Sequence, residues 1–71
     1  MIPLSDKWVP VLLAQPETGM GYQIASVFLH DGRRFDHVTI TQGVITQVGG
    51  KKEIPFKEED IADIRVTHSR P

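Results

Sequence analysis

Two short turn signals inside one apolar stretch constrain the fold of this chain more than any other feature. Asp31-Gly32 and Gln42-Gly43 divide residues 22–48 into three runs rich in β-branched and aromatic residues. Asp-Gly between such runs is a strong hairpin signal, because a tight hairpin turn needs residues that tolerate a positive φ angle. The sequence therefore predicts three antiparallel strands over residues 22–30, 34–41 and 44–48.

The spacing of apolar residues indicates that these strands bend. Phe35 and Val38 lie three residues apart, whereas Val38 and Ile40 lie two apart, and the third strand repeats the slip between Ile45 and Val48. Such a shift in the alternation is what a β-bulge produces, and bulges bend strands at the corners of barrels. We therefore expect a small barrel rather than a flat sheet.

The first strand carries apolar residues on both of its faces. A strand with one solvent-exposed face should alternate apolar and polar residues. The strand is therefore either central and strongly curved, or its outer face is covered by the N-terminal arm or by a second subunit, so homodimerisation is a hypothesis at this stage. The pattern leaves open which face lies inside: Ile24 and Phe28 share one, and Ala25, Val27 and Leu29 share the other.

The residue pattern in the C-terminal third of the sequence predicts two more strands. Gly49-Gly50 forms a third turn, and residues 52–56 form a brief fourth strand that Pro55 restricts to a sheet edge. Three acids after Lys57 favour one helical turn over residues 57–61, because the helix dipole stabilises acids in the first turn. A fifth strand follows to about Thr67. The alternative is a short helix over residues 57–64, which would make the domain α+β.

The chain is expected to form a single domain over residues 1–71. An N-terminal arm and loop (1–21) precede a β-barrel core (22–68) and a frayed tail (69–71). Residues 8–13 are predicted to be extended and held at a sheet edge by Pro10, with Trp8 or Leu12 covering an open end of the barrel. The other predicted core residues are Ile24, Val27, Leu29, Phe35, Val38, Ile40, Ile45, Val48, Ile54, Phe56, Ile61 and Ile64.

Composition argues against several classes of function. Eight basic and nine acidic side chains give a net charge of −1, whereas nucleic-acid-binding domains are usually basic. The chain has no cysteine, which excludes disulfides and thiolate metal sites. Its first residues lack the pattern of a secretory signal, and no apolar run is long enough to span a bilayer. We expect a cytoplasmic protein with no membrane association and no cofactor.

The order of the predicted elements is similar to that of SH3-like small barrels. Within that group, the segment VFLHDGRRF at residues 27–35 resembles the first motif of Sm-like proteins. The chain departs from that family at Asp36-His37, where a small residue is usual. It departs again at residues 64–67, which lack the late Arg-Gly or Lys-Gly. The RNA-contacting residues of the family are therefore not carried over. The chain as a whole resembles short uncharacterised bacterial proteins with a PETGMGY, DGRRF and IPF..EDI layout, a resemblance that implies a small barrel and no established activity.

The histidines are candidates for a metal or catalytic site. A two-residue turn at Asp31-Gly32 would pair Phe28 with Phe35 and place His30 and His37 on one face, with His68 as a third ligand from the last strand. Two imidazoles and a carboxylate could bind zinc or transfer protons. The alternative is that Asp31 serves the turn and the histidines are solvated. Because no nucleophile motif or phosphate-binding loop is present, we do not expect an enzyme.

The sequence favours a non-enzymatic binding or assembly module. Trp8, Tyr22 and Phe28 are the candidate residues for contact with a protein partner or with a second copy of the chain. The alternative is an Sm-like nucleic-acid-binding protein that uses the basic pairs at its turns, Arg33, Arg34, Lys51 and Lys52.

Overall fold

The computed structural model describes residues 1–19 and 21–68, and of His68 only the backbone. The predicted frayed tail, residues 69–71, lies outside the described residues. The elements are the strands β1 (Ile2–Pro3), β2 (Tyr22–Leu29), β3 (Arg34–Thr41), β4 (Val44–Val48) and β5 (Ile61–His68), the helix α1 (Val9–Leu13), and two 3-10 turns, Asp6–Trp8 and Glu58–Asp60.

The five strands form one antiparallel sheet in the order β1-β4-β3-β2-β5. The sheet curls into a half-barrel, which confirms the prediction of an all-β, five-stranded small barrel. Its two edges are β1 and β5. No helix in the described part of the chain is long and apolar enough to cross a bilayer.

Bulges produce the curl at the two places where the sequence predicts them. Asp36 and His37 of β3 together oppose the single residue Ser26 of β2, and His37 has a φ of 54°. On β4, the extra residue is Thr46, which lies between the partners of Thr39 and Ile40. Each extra residue bends its strand and shifts the alternation of faces, so the predicted phase slips are confirmed.

The predicted two-residue loop at Asp31-Gly32 is wrong. The Leu29 N–H donates to the Arg33 carbonyl, and the Gly32 N–H donates to the Leu29 carbonyl, so three residues lie in the loop. Gly32 has a φ of 94°, which fits a type I turn followed by a left-handed residue. The register moves by one residue as a result: Phe28 pairs with Arg34 rather than with Phe35.

The predicted fourth strand over residues 52–56 is also wrong. The Gly49-Gly50 turn forms as expected, and Val48 and Lys51 exchange both backbone hydrogen bonds across it. Beyond Lys51 the chain leaves the sheet, and Pro55 has no N–H to donate to a ladder. The fifth strand of the sheet is supplied instead by β1, which pairs with β4.

Residues 8–13 are helical and not extended, which corrects the prediction for the N-terminal arm. Pro10 lies at the start of α1, a position that tolerates proline because the first N–H groups of a helix have no intrahelical partner. Trp8 and Leu12 lie one helical turn apart and are both buried in the core.

The second 3-10 turn, Glu58–Asp60, and the strand β5 confirm the prediction of one helical turn before the last strand. The Lys57 N–H donates to Asp60 Oδ2 at 2.9 Å, which closes the turn. The alternative of a helix continued to Ile64 is wrong, because β5 begins at Ile61 and pairs with β2.

The core lies between the concave face of the sheet and α1. Ile24 was predicted to belong to it and is only half-buried, whereas Ala25 is fully buried, so the odd-numbered face of β2 is the inner one. Phe35, Val48 and Ile54 pack partly buried against the cluster. The buried apolar residues are Trp8, Leu12, Ala25, Val27, Leu29, Val38, Ile40, Ile45, Phe56, Ile61 and Ile64.

Candidate functional site

The predicted histidine site is not assembled by the described residues. His30 is exposed in the β2–β3 loop, and His37 is exposed at the bulge of β3. The register that would have placed them on one face is wrong, as shown above. The side chain of His68 lies outside the described residues. Among the described residues, no group of three histidine, aspartate or glutamate side chains is arranged to hold a metal ion.

Arg33 and Arg34 lie at the β2–β3 end of the sheet, and Lys51 and Lys52 follow the turn after β4. Arg33 Nε lies 2.7 Å from Asp31 Oδ2, and Arg34 Nε lies 3.3 Å from Asp36 Oδ1. The pKa of Asp31 lies below its usual value, chiefly because the Arg33 backbone N–H donates to its carboxylate. The hydrogen bond from the Arg33 side chain lowers the pKa by a smaller amount. The acids of the second 3-10 turn lie at this same end. Both arginines are therefore charge-balanced, and Lys51 and Lys52 are exposed without an ion pair in the described part of the chain.

The three candidate contact residues occupy different places. Trp8 is only 7% exposed, so it packs in the core and has little surface to offer a partner. Tyr22 is 38% exposed at the start of β2. Phe28 is half-buried on the outer, convex face of the same strand. The structure therefore separates Trp8 from the surfaces that Tyr22 and Phe28 present.

A groove of about 520 Å³ lies between α1 and the end of the sheet at the Gln42-Gly43 turn. Two apolar residues of α1 stand on its rim: Val9 is 46% exposed and Leu13 is 81% exposed. Tyr22 contributes to the lining from the sheet side. We call this surface the α1 groove; it is lined by Val9, Leu12, Leu13, Gln15, Glu17, Gly21, Tyr22, Gln23, Ile40, Gln42 and Gly43.

A buried glutamine fixes α1 over the end of the sheet. Gln23 points inward from β2, and its Nε2 donates to the carbonyls of Leu12 at 3.1 Å and Pro16 at 3.2 Å. The Leu12 carbonyl also accepts the Gln15 N–H at 3.2 Å, so the amide adds a second donor there. One amide side chain thus anchors the end of the helix to the sheet.

A second glutamine joins α1 to the edge strand β5. Gln15 Nε2 donates to the Ile64 carbonyl at 3.0 Å, and Gln15 Oε1 accepts from the Val66 N–H. The side-chain amide therefore pairs with backbone groups of β5 as a neighbouring strand would. This contact fixes the position of the groove and covers part of the sheet edge.

The loop before β2 holds the other wall of the groove. The Gly21 N–H donates to Glu17 Oε2 at 2.9 Å, and the Ile24 N–H donates to Thr18 Oγ1 at 2.7 Å. The Tyr22 ring lies against Gly19, where a side-chain carbon would overlap it. Glycine at this position therefore lets the ring pack over the loop.

Comparison with known protein families, curated proteins and solved structures finds no significant match.

Sequence reasoning missed the two rim residues of the groove, Val9 and Leu13. A signal for them was present: Trp8, Val11 and Leu12 have the i, i+3, i+4 spacing of one helical face, which leaves Val9 and Leu13 outside it. The roles of the two glutamines had no comparable signal, because they depend on tertiary contacts.

Proposed function

We propose that the protein is a small non-enzymatic binding module that holds a short apolar segment of a protein partner in the α1 groove. The observation that carries the proposal is the rim of the groove, where Leu13 and Val9 expose apolar side chains beside the Tyr22 ring. Exposed apolar residues grouped around a concave surface are typical of interaction sites.

The energetics support a moderate affinity. Full burial of an aliphatic side chain such as Leu13 or Val9 contributes about 1.5–3 kcal/mol. A partner that contacts both of these side chains and the Tyr22 ring would gain free energy. This gain would offset part of the cost of the translational and rotational freedom lost on association. Binding in the micromolar range corresponds to about 8 kcal/mol. The groove suits a reversible contact of this kind.

Charge narrows the chemistry of the partner. Glu17 is the only ionisable side chain, other than Tyr22, among the described residues that line the groove. It is exposed, and one of its oxygens accepts the Gly21 N–H. A carboxylate at the rim attracts a cation and repels an anion. The expected partner segment therefore combines an apolar side chain with a lysine or arginine.

Selection from a displayed random-peptide library tests this proposal. We expect peptides enriched on the full chain to share an apolar residue near a basic one. Synthetic copies should bind in solution and shift the backbone NMR signals of Leu13, Tyr22 and Gln42. The Leu13→Asp variant should lose this binding at least tenfold, because it places a charge where the apolar contact forms.

Ala62→Asp is the matched control. Ala62 is exposed near the start of β5, at the opposite end of the sheet, so the same new carboxylate should leave binding unchanged. Enriched peptides that bind Leu13→Asp as tightly as the original chain, or a library without enrichment, would contradict the proposal.

Nucleic-acid binding is the alternative function, and the geometry supports it less. Two of its four basic residues, Arg33 and Arg34, already pair with neighbouring acids. A phosphate backbone would have to compete with those carboxylates.

A further inference from the structure

The outer face of β2 carries a charge pattern that the α1 groove does not use. In one row across the sheet, Phe28 lies between Arg34 on β3 and Asp63 on β5. In the next row, Ser26 pairs with Arg65 on β5, and its hydroxyl donates to Asp36 on β3 at 2.7 Å. In the Phe28 row the base therefore lies on β3 and the acid on β5, and in the Ser26 row the acid lies on β3 and the base on β5.

This arrangement is complementary to itself. A copy turned about an axis parallel to β2 would present its Asp63 to Arg34 and its Arg65 to Asp36. Rotation about an axis across the strands, halfway between the Phe28 and Ser26 rows, would instead bring Arg34 to the copy's Asp36. Both two-fold arrangements place opposite charges together, which is the requirement that an isologous interface must meet.

The centre of the same face is apolar. Phe28 and Ile24 lie on it two rows apart, both half-buried, and the Arg34–Asp36 and Asp63–Arg65 pairs flank Phe28. An aromatic residue surrounded by polar groups that exclude water is the usual organisation of an interface centre. The charged side chains remain largely exposed, from 44% to 72%, so they can turn toward a partner.

The sheet edges are poorly suited to self-association. On β5, Gln15 already bonds to the Ile64 carbonyl and the Val66 N–H. On the other edge, β1 has two residues and one of them is Pro3, which cannot donate a ladder hydrogen bond. A face rather than an edge is therefore the surface through which two copies can meet.

We infer that the protein forms a two-fold symmetric homodimer through the outer face of β3, β2 and β5, centred on Phe28. This surface is distinct from the α1 groove. The dimer would cover Phe28 and exchange ion pairs within each chain for ion pairs between chains. Its two grooves would remain open, which gives the module two binding sites.

Two charge variants and their mixture test the inference. The first, Arg34→Glu with Arg65→Glu, makes the four charged positions acidic, and the second, Asp36→Lys with Asp63→Lys, makes them basic. We expect light scattering to give twice the 8.0 kDa chain mass for the original protein. Each variant alone should give the monomer mass, because like charges would face each other. An equimolar mixture should recover the dimer.

A second pair of variants controls for net charge alone. Lys51→Glu with Lys52→Glu, and Glu53→Lys with Glu59→Lys, change the net charge by the same amounts at exposed positions outside β2, β3 and β5. Each of these should remain dimeric by itself.

Several results would overturn the inference: a monomeric original chain at every concentration, charge variants that stay dimeric alone, a mixture that stays monomeric, or control variants that dissociate. Circular dichroism reports whether each variant folds. If a face variant is unfolded, isotope-filtered NMR of the original chain decides, since the dimer requires contacts between the Phe28 ring and the outer face of the other copy.

Discussion

The two faces of β2 have similar apolar residues and opposite environments. On the inner face, Ala25, Val27 and Leu29 are buried against the rest of the core. On the outer face, Ile24 and Phe28 are half-buried among charged and hydroxyl side chains of β3 and β5. Apolar character alone therefore does not distinguish core from interface; the neighbours across the strands do.

The comparison explains why one strand can serve both stability and association. The inner face is covered by the curl of the sheet and by α1, so its contribution to folding does not require a partner. On the outer face, Phe28 has a strand neighbour on each side, Arg34 of β3 and Asp63 of β5. Substitutions on the two faces should therefore differ in what they change.

Truncation of an inner-face residue should have the largest effect. Leu29→Ala removes a buried side chain and leaves a cavity, which costs about 2–5 kcal/mol. A core of this size supplies about 3–5 kcal/mol in total, so much of the protein should be unfolded at room temperature. Urea denaturation followed by circular dichroism measures the change. A loss below about 1 kcal/mol would mean that the inner face is not the core.

Substitution of Gln23, a buried polar residue on the inner face of β2, should have the next largest effect on stability. Gln23→Ala removes the side-chain donor of the Pro16 carbonyl and one of the donors of the Leu12 carbonyl, at a cost of about 1–3 kcal/mol. The helix α1 should detach before the sheet unfolds, which Trp8 fluorescence and amide exchange can report separately. Gln47→Ala on β4 is the control and should leave α1 protected. Unchanged Trp8 fluorescence in Gln23→Ala would contradict the anchoring role.

Truncation on the outer face should cost less. Ile24→Ala removes part of a half-buried side chain, so the loss of stability in the monomer should be about 1 kcal/mol. The same denaturation measurement applies at a concentration at which the protein is monomeric. A loss as large as that of Leu29→Ala would remove the distinction between the faces.

The contact between Glu58 and Ser5 lies on neither face of β2. Its loss should have the smallest effect on stability, and that effect should depend on pH. The pKa of Glu58 lies below its usual value, chiefly because the Ser5 backbone N–H donates to its carboxylate. A lowered folded-state pKa gives stability that is fully present above 4.5 and is lost as the pH falls through the folded value. Glu58→Gln should remove this part of the acid dependence. Equal slopes of stability against pH in the two proteins would show that the contact contributes nothing.

Sequence reasoning predicted the features that depend on a few neighbouring residues. The Gln42-Gly43 and Gly49-Gly50 turns need positive φ angles, and the bulges of β3 and β4 shift the apolar alternation in a visible way. The 3-10 turn Glu58–Asp60 was likewise marked by its acids.

Features that depend on longer contacts were not predicted. The Asp31-Gly32 signal fits loops of two or three residues, and the choice between them moves the register by one. Pro10 is compatible both with a strand edge and with the first turn of a helix, and the contacts of Gln15 and Gln23 select the helix. The α1 groove depends on that helix, so the sequence alone did not reveal it.

The most direct test of the difference between the two faces is Phe28→Ser, examined by light scattering and by urea denaturation of the same sample. The account predicts a folded protein with the monomer mass and a stability within about 1 kcal/mol of the original monomer. A variant that is unfolded would show that Phe28 belongs to the core, and a variant that remains dimeric would show that the outer face of β2 is not the interface.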